Sequence, residues 1–475
     1  MSAASLTRRA FVRAALAGAA AGLLPGCHRI ERQPPPDIGF DYEAGRPLPW
    51  RNWAGNQGCL PAKRAAPESE EELLAFLSRS AGSVRPVGAG HSFSALVPSD
   101  GTLLASDFLS GLVSVDEERI QAEVWAGTRL HALGPLLQAN DQASLNLPDI
   151  DYQTLGGAIA TSTHGTGARF GSLSSTVVGL TLATPGGELL ECSAERNAEV
   201  FHAARCSLGA LGVVTRLRLQ NQRPFRLAEQ MRVESLEPLL EDIARRRNAH
   251  RHFEFHALPH TGLALAVSTD ETDDTTSPSD AEAPEAVLAL RELYERVGGL
   301  PGLGDWLYER QLVSAFGNQT AQRIGPSFQV LAHPRLVRFR EMEYTVPAEA
   351  GPDCLREVLH TIRERRLPIV FPIEYRYVKA DDVWLSMFHA RDGCSISLHQ
   401  YADEHSGGYF QTMEPIFAKY EGRPHWGKLH ELDATRLARV HPRLRDFQEV
   451  REGLDPEGRL LNPHLERVLG AQRHT

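Results

Sequence analysis

The stretch of sequence that decides the fold is a glycine-spaced turn after a strand, Val84-Arg85-Pro86-Val87-Gly88-Ala89-Gly90-His91-Ser92-Phe93-Ser94. Val84 and Val87 favour a strand. Gly88 and Gly90 have no Cβ, so the backbone can take positive φ there and bring its N–H groups close to a ligand. Successive N–H groups in such a turn form a nest that suits a phosphate or pyrophosphate. A glycine-rich turn with a surface histidine is the alternative, and this stretch alone does not decide between the two.

A second stretch of small residues favours the ligand site. It reads Leu155-Gly156-Gly157-Ala158-Ile159-Ala160-Thr161-Ser162-Thr163-His164-Gly165-Thr166-Gly167, and it leaves room for a large ligand against the backbone. A nicotinamide dinucleotide is not the expected ligand. Its fingerprint requires Gly-x-Gly-x-x-Gly between a strand and a helix, whereas neither a third glycine nor a helical pattern follows Gly88 and Gly90.

Together the two stretches resemble the flavin-binding domain of the vanillyl-alcohol-oxidase and p-cresol-methylhydroxylase (PCMH-type) superfamily. The most similar branch is that of the D-arabinono-1,4-lactone, L-gulono-1,4-lactone and alditol oxidases. In that branch a Gly-x-Gly-His-Ser turn carries a histidine bonded covalently to the flavin 8α-methyl group, which implies that His91 holds FAD in this way. The resemblance places along the FAD the residues Pro86, Val87, Gly88, Ala89, Gly90, His91, Ser92, Phe93, Gly156, Gly157, Ser162, Thr163, His164, Gly165, Thr166, Gly167, Gly212, Val213 and Val214.

Composition and charge are those of a globular enzyme. The chain has 475 residues, of which 42% are hydrophobic and 23% charged, enough for two or three domains with sizeable cores. The net charge of −10 and the lack of a long basic run argue against a nucleic-acid partner. Apart from the N-terminus, no apolar run approaches the roughly 20 residues of a membrane-spanning helix.

The N-terminus predicts export. Thr7 to Arg13 is a twin-arginine signature, and the apolar segment from Ala14 to Leu24 is too short to span a bilayer. It ends in a sequence similar to a lipobox, with Cys27 as the lipidated residue. Because Pro25 departs from the usual residue there, simple cleavage is the alternative. We therefore expect passage through the twin-arginine export machinery, a periplasmic location and a lipid anchor at Cys27.

The remaining cysteines are an odd number without Cys-x-x-Cys spacing, namely Cys59, Cys192, Cys206, Cys354 and Cys394. This pattern predicts neither a disulfide framework nor a zinc knuckle. We expect buried free thiols, and one disulfide in an oxidising periplasm stays open.

The domain organisation follows from the alternation of short strands and helices, which predicts an α+β fold and not a doubly wound sheet. Residues 1–27 are the export signal and 28–49 a linker. The resemblance implies a two-subdomain PCMH-type FAD-binding domain over 50–222 and an α+β substrate (cap) domain over 223–430. Within the latter, residues 269–284 are acidic and rich in Ser, Thr and Pro, and we interpret them as a mobile loop. Residues 431–475 are expected to pack back on the FAD domain.

One strand of the second half raises the question of a metal. Alternation over Arg251 to His256 puts His252, Glu254 and His256 on one face, and two histidines with a carboxylate are metal-ligand types. A polar face that lines a cavity or meets solvent is the favoured interpretation. We therefore expect no metal.

Four polar residues of the second half are the candidates for catalysis. Ile373 to Tyr377 predicts a strand with Glu374 and Arg376 on one face, His399 is a polar position on the next strand, and Lys428 follows a constrained loop. In the alditol-oxidase branch a Glu-x-Arg pair, a histidine on the next strand and the lysine of a Pro-His-Trp-Gly-Lys segment surround the flavin ring and the substrate hydroxyls. All four positions match here. Structural salt bridges on a sheet are the alternative for each residue taken singly.

These residue types suit the oxidation of an alcohol, in which a hydride moves to flavin N5 and the hydroxyl loses its proton. Lys428 or Arg376 would stabilise the negative charge that develops, while the other holds or polarises the substrate hydroxyl. Glu374 would hold Arg376 and accept a hydrogen bond from the polyol. His399 would position the substrate or take the proton, since imidazole titrates near neutral pH.

We therefore expect an FAD-dependent oxidoreductase that oxidises a CH–OH group of a sugar lactone or alditol, with O2 as acceptor. One alternative is a related flavin dehydrogenase that passes electrons to a quinone or an acceptor protein such as a cytochrome. Another is a non-enzymatic carbohydrate-binding lipoprotein of the same fold. A metal hydrolase built on the His252 strand is the most distant alternative.

Overall fold

The computed structural model describes residues 45, 47–275, 285–298, 303–317, 320–333, 337–404 and 408–473. The predicted export signal over 1–27, Cys27 included, and most of the predicted linker over 28–49 lie outside these residues. Among the residues that are described, no helix combines the length and the apolar character that crossing a membrane requires.

The first half of the chain forms a small parallel sheet and a larger antiparallel one. Its strands are β1 (Trp50–Arg51), β2 (Gly58–Cys59), β3 (Lys63–Ala65), β4 (Val84–Val87), β5 (Thr102–Ala105), β6 (Leu112–Asp116), β7 (Gln121–Trp125), β8 (Ala143–Ser144), β9 (Val177–Ala183), β10 (Leu189–Ser193) and β11 (Val213–Gln222). Its helices are α1 (Glu70–Arg79), α2 (Leu130–Gln138), α3 (Leu155–Ala160) and α4 (Ala198–Ala204). The parallel sheet has the order β3–β5–β4, and the antiparallel sheet has the order β10–β9–β11–β7–β6 with β8 against β11.

The glycine-spaced turn follows β4, a strand that is held in place by the hydrogen bonds of its buried arginine, Arg85. In β4, the buried Arg85 donates to the carbonyl oxygens of Leu208 at 2.9 Å and Gly209 at 2.8 Å, and also to that of Leu460 near the C-terminus. Burial lowers the pKa of Arg85 to about 9 against the opposing effect of Asp455. The guanidinium thus stabilises main-chain oxygens of two distant segments beside the turn.

The second half is built on one large antiparallel sheet. Its strands are β12 (Arg226–Ser235), β13 (His252–Ala257), β14 (Leu263–Glu271), β15 (Thr320–Pro326), β16 (Phe339–Pro347), β17 (Ile373–Val378), β18 (Gly393–Tyr401) and β19 (Arg423–Pro424). Its helices are α5 (Leu236–Glu241), α6 (Ile243–Ala249), α7 (Glu285–Val297), α8 (Gly304–Phe316), α9 (Ser327–Leu331), α10 (Gly351–Glu364), α11 (Tyr409–Lys419), α12 (Ala434–Val440), α13 (Leu444–Leu454) and α14 (Pro463–Leu469). The strand order is β15–β12–β14–β13–β17–β18–β16–β19.

The two faces of this sheet differ because side chains alternate along each strand. The back face is apolar and packs against α10, whose buried residues include Leu355 and Val358. The front face of β16, β17 and β18 carries polar side chains toward the first half of the chain, as the contact of Glu343 Oε1 on β16 with His164 Nε2 at 2.5 Å indicates. The front face therefore holds the candidate catalytic residues.

Two parts of the second half bear on the predicted boundaries. The predicted loop over 269–284 begins later than expected, because Thr269 and Glu271 continue β14 and pair with β12. Cross-strand pairing outweighs the polar composition there, and residues 276–284 lie outside the described ranges.

Near the C-terminus, the Asn462 side chain donates to the carbonyl oxygens of Ala95 and Pro98, each at 2.9 Å. The terminal segment therefore contacts the first half of the chain directly after the glycine-spaced turn.

The first half also forms hairpins over 111–125 and 177–191 and a helix over Glu70–Arg79. The helix begins where the sequence indicates, since Ser69 caps it and acidic residues fill its first turn. The cysteines Cys59, Cys192, Cys206, Cys354 and Cys394 are buried free thiols. The α+β fold class is confirmed.

Candidate active site

The front face of the large sheet brings the predicted catalytic strands side by side. In the register of β13, β17 and β18, Arg376 lies between Glu254 and Ser395, and Glu374 pairs with Ser397. On the adjoining pair of strands, β16 and β18, His399 lies opposite a glutamate, Glu341. Charged and polar side chains are therefore clustered on adjacent strands, although each comes from a different part of the sequence.

Arg376 is the centre of a buried ionic network. Its Nη2 lies 2.8 Å from Glu374 Oε2 and 3.4 Å from Glu343 Oε2, and its side chain is only 8% exposed. Burial acts to lower the pKa of Arg376, but Glu374, Glu343, Glu254 and Glu341 outweigh burial and raise it. The guanidinium therefore stays charged, with its orientation set by two carboxylates.

Glu343 links the sheet to the second glycine-rich stretch. Its Oε1 lies 2.5 Å from Nε2 of His164 and accepts a hydrogen bond from Ser395 Oγ at 2.6 Å. Burial acts to raise the pKa of Glu343, but the neighbouring His164 and Arg376 hold it well below its usual value. His164 Nδ1 is 2.8 Å from the Gly165 carbonyl oxygen. Both ring nitrogens thus face acceptors, which fixes the orientation of the imidazole.

Lys428 reaches the same cluster from the loop after β19. Its ammonium group forms an ion pair with Glu341 and lies 5.0 Å from the centre of the Phe93 ring. The loop is tied to the glycine-spaced turn, because Phe93 N donates to the Gly427 carbonyl oxygen at 2.7 Å and Ser94 Oγ to that of Trp426 at 2.7 Å. The lysine and the turn that carries His91 are therefore held together.

His399 is oriented by its surroundings. Its ring stacks on Phe371 with centroids 4.8 Å apart, and its Nδ1 lies 3.3 Å from the Pro372 carbonyl oxygen. Because a carbonyl oxygen only accepts, Nδ1 carries the hydrogen and Nε2 keeps its lone pair. Nε2 in turn lies 3.7 Å from Glu341 Oε1. This tautomer can accept a proton, and the carboxylate would stabilise the resulting charge.

A single cavity of about 270 Å³ connects these groups. Its lining includes Glu374, Arg376, His399 and Lys428 from the second half of the chain. From the first half it includes His91, Ser92, Phe93, Thr163 and His164. The structure therefore brings together all four predicted catalytic residues and places them beside the histidine of the glycine-spaced turn.

His91 lies at the border between this cavity and a second one of about 120 Å³, which we call the glycine groove. Its ring stacks on Trp53, with centroids 5.5 Å apart and an interplanar angle of 27°. Burial, together with the charges of Lys428 and Arg129, lowers the pKa of His91 to about 4. The imidazole is therefore neutral at neutral pH and keeps a lone pair that can act as a nucleophile.

The glycine groove is lined mostly by small residues, and its glycines let the surrounding segments pack closely. Its lining residues include Pro86, Val87, Gly88, Ala89, Gly90, His91, Ser92, Gly156, Gly157, Gly212, Val213 and Val214. A Cβ on Gly88 would lie 2.2 Å from Thr154 Oγ1, and one on Gly156 would lie 3.0 Å from the Ala126 Cβ. Gly90 has φ of +70°, a conformation that L side chains rarely adopt. The residues present thus fit a large ligand laid against the backbone.

Four residues predicted to contact the cofactor line neither the large cavity nor the glycine groove. Gly165, Thr166 and Gly167 do not line the glycine groove in the described residues; they contact the large sheet, where Gly167 N donates to the Tyr377 carbonyl oxygen at 2.8 Å. Ser162 is fully buried and lines neither cavity. Thr166 and Gly167 join the two halves of the chain, because the chain turns from the groove toward the sheet after Thr161.

Two groups of side chains offer potential metal-ligand atoms, one on the predicted strand and one around the buried carboxylates. His252, Glu254 and His256 share a face as expected, and Glu254 and His256 line the large cavity. Among the described residues, the potential metal-ligand atoms that lie within 4.8 Å of one another belong to Glu341, Glu374 and His399. Lys428 and Arg376 already neutralise these two carboxylates. The positive charge of the site is therefore supplied by side chains.

Sequence reasoning missed several residues of the site. Local sequence patterns assign no chemical role to Glu341, Glu343, Ser395 or His425, which the structure places in the cavity or in its hydrogen-bond network. The Glu341-Met342-Glu343 alternation could have indicated two carboxylates on one face, as it did for Glu374 and Arg376.

Sequence comparisons agree with this arrangement. The family described as D-arabinono-1,4-lactone oxidase matches residues 217–468, and the family described as FAD binding domain matches residues 61–193. The chain is 38% identical over 434 residues to the L-gulono-1,4-lactone dehydrogenase of Mycobacterium tuberculosis, covering 89% of this chain and 99% of that protein. It is 32% identical to the L-gulonolactone oxidase of Bos taurus, covering 88% of this chain and 98% of that protein.

Structural comparison supports the same fold. A solved structure of a solvent-stable cholesterol oxidase matches with a TM-score of 0.72, covering 92% of this chain and 100% of that chain. The sequence identity in this match is 16%. The predicted PCMH-type FAD-binding fold is thereby confirmed.

Proposed function

Because this chain belongs to the D-arabinono-1,4-lactone oxidase family and is an FAD-dependent oxidoreductase of CH–OH groups, we propose that it oxidises a hydroxyl-bearing carbon of a neutral sugar lactone or alditol at the cavity between its two halves. The observation that carries the proposal is that Glu374, Arg376, His399 and Lys428 line one cavity with His91 at its border. When bound in the glycine groove, FAD supplies the two-electron acceptor for the substrate hydride.

Arg376 and Glu374 bind the substrate hydroxyls. A hydroxyl both donates and accepts, so it can accept from the guanidinium while it donates to a carboxylate. Because Glu343 and Glu374 hold Arg376 in place, the guanidinium needs no reorientation when substrate arrives. This preorganisation favours the transition state over a loosely held substrate.

His399 removes the hydroxyl proton. Its Nε2 keeps the lone pair, since Nδ1 donates to the Pro372 carbonyl oxygen. Once protonated, the ring would be a cation 3.7 Å from Glu341 Oε1, which stabilises the product of proton transfer. Stacking on Phe371 keeps the ring from rotating away.

Lys428 supplies the second fixed cation of the cavity. It is held by Glu341 and by the loop that is bonded to the glycine-spaced turn. A cation held there stabilises negative charge that develops between the two halves of the site. Arg376 is the cation on the substrate side.

A covalent tether to the flavin through His91 is supported by the neutral imidazole, with pKa about 4, at the border of the glycine groove. A neutral ring nitrogen can form the bond, whereas a protonated one cannot. Export through the twin-arginine machinery to the periplasm, with Cys27 lipidated, is supported by the sequence of residues 7–27 alone. A tether would keep the cofactor in place after export.

The electron acceptor has two candidates. O2 is the acceptor we favour, in line with the name of the bovine relative, L-gulonolactone oxidase. A quinone or acceptor protein is the second candidate, because the mycobacterial relative at 38% identity is named a dehydrogenase. Oxygen consumption, measured against reduction of an added quinone or cytochrome, separates the two.

The experiment that tests the substrate class compares L-gulono-1,4-lactone with its ring-opened carboxylate. Glu254, Glu341, Glu343 and Glu374 outnumber Arg376 and Lys428 in the cavity, so an anion is repelled. Like charges brought together cost several kcal/mol, so we expect kcat/KM for the lactone to exceed that for the carboxylate by about 100-fold or more. Equal values for the two would contradict the proposed substrate class.

A further inference from the structure

The large cavity has a second half that the proposed chemistry does not use. Its polar groups lie on β13, β16, β17 and β18, but on the next two strands across the sheet the front face becomes apolar. There the lining side chains are Met231 and Val233 on β12, with Leu265 and Val267 on β14. Met231 pairs with Val267 and Val233 with Leu265, so the four form a continuous patch. We call it the apolar patch.

Helices complete this end of the cavity. Leu290 of α7 and Phe316 of α8 line the cavity with the apolar patch, and both pack against the same hydrophobic cluster as Val233. Glu229 lies beyond Met231 at the margin of the patch. The end of the cavity is therefore apolar on the sheet side and on the helix side.

The apolar patch lies beyond the reach of an unsubstituted sugar lactone. Strands in a sheet are about 4.8 Å apart, so β14 and β12 lie about 10 and about 14 Å across the sheet from Glu374 and Arg376 on β17. A six-carbon chain has five C–C bonds of about 1.5 Å and is shorter than about 8 Å. A lactone bound to Arg376 therefore leaves the apolar half unfilled.

We infer that the donor oxidised here is amphipathic, with a neutral hydroxylated head at Glu374 and Arg376 and an alkyl or aryl substituent on the apolar patch. This inference rests on the proposed function and specifies its substrate class. The continuity of one cavity along one sheet face favours a single ligand that spans both halves. Water competes for the hydrogen bonds of the polar head, so the head alone gains little affinity. Burial of the apolar substituent supplies the additional affinity.

Binding of a homologous series tests the inference. The probes are L-gulono-1,4-lactone and its 6-O-methyl, 6-O-butyl and 6-O-octyl ethers, titrated calorimetrically without oxygen into the protein with its FAD already reduced, so that binding is measured without turnover. Each methylene buried on the patch is expected to tighten binding by up to about fourfold. We expect the butyl ether to bind at least about tenfold tighter than the methyl ether, with a parallel rise in kcat/KM.

A double variant, Val233→Thr with Val267→Thr, keeps the side-chain shape and makes the patch polar. It should reduce the gain from methyl to butyl at least about threefold, while the affinity for the parent lactone stays within about twofold. Val113→Thr is the matched control, because Val113 is a valine on β6 that is 37% exposed and is not among the cavity-lining residues. It should leave the whole series unchanged.

Equal dissociation constants across the ethers, or a chain-length gain that survives in the double variant, would overturn the inference. The inference would also fail if the ethers showed no gain in affinity with chain length while a short-chain quinone displaced the octyl ether. In that case the quinone should bind more weakly to the double variant than to the wild type. If no member of the series is turned over, the proposed function fails, and the binding titration still decides whether the apolar patch takes an alkyl group.

Discussion

Nε2 of His164 lies 2.5 Å from Oε1 of Glu343, and this buried pair joins the glycine-rich half of the chain to the sheet that carries the reactive side chains. Each side chain is 1% exposed. Because Glu343 also contacts Arg376 at 3.4 Å, one carboxylate orients groups on both sides of the cavity. A disturbance of Glu343 should therefore affect the stability of the protein and the position of Arg376 together.

Glu343→Gln should be strongly destabilising. It keeps the side-chain size but removes the buried negative charge between His164 and Arg376, and breaking such a pair costs about 3–5 kcal/mol. Urea denaturation should show this loss, together with a rise in KM. The control is Glu349→Gln, because the Glu349 side chain is 85% exposed in its pair with Arg247. Exposed pairs contribute about 0–1 kcal/mol. Equal stability of the two variants would contradict the assigned role of Glu343.

Lys428→Met should lower kcat by about 100- to 1000-fold, because a fixed cation aimed at developing charge is removed from a mostly buried position. The change is measured by steady-state kinetics, with thermal unfolding to check that the fold is kept. Lys428→Arg should recover part of the rate. Lys419→Met, at a lysine that is 61% exposed, should leave kcat unchanged. A Lys428→Met enzyme with the wild-type kcat would show that the ion pair with Glu341 is structural only.

His91→Ala should release the flavin from the denatured chain. The wild-type protein is expected to keep its yellow colour and flavin fluorescence through a denaturing gel, with a mass increased by one FAD. The variant is expected to lose both, since the neutral ring at the border of the glycine groove is the proposed attachment point. Flavin that washes out of the denatured wild type would remove the tether and keep the fold.

Stability should fall on acidification from about pH 6.5. Burial lowers the pKa of His252 to about 4 and that of His425 to about 3. Burial also lowers the pKa values of three further histidines, His430, His441 and His464. Below pH 6.5 the unfolded chain binds protons that the folded chain does not, so the stability present above that pH is lost as the pH falls toward 4. Each histidine contributes at most about 1.4 kcal/mol per pH unit.

Urea midpoints at several pH values between 7.5 and 4.5 measure this dependence. His441→Phe removes one buried ring whose pKa lies well below its usual value, and it should make the slope shallower. His360→Phe, at a side chain that is 74% exposed, should leave the slope as in the wild type. A slope that is the same in all three proteins would exclude these buried histidines as its source.

The sequence predicts the local parts of the site well, because strand alternation alone puts Glu374 and Arg376 on one face. It does not predict which distant side chains pair with them. Glu343 meets His164 across 179 positions of the sequence, through a strand register that local patterns do not encode. The apolar patch is missed for the same reason, since β12 and β14 become its neighbours only when the sheet assembles.

The most direct test of the account is anaerobic mixing of the purified, FAD-loaded protein with L-gulono-1,4-lactone while the flavin absorption is followed. Loss of the oxidised-flavin spectrum, with stoichiometric formation of the oxidised lactone, is the predicted result. It should be slowed by about 100-fold or more in Lys428→Met. A flavin spectrum that persists with this lactone and with a panel of neutral lactones and alditols would contradict the account.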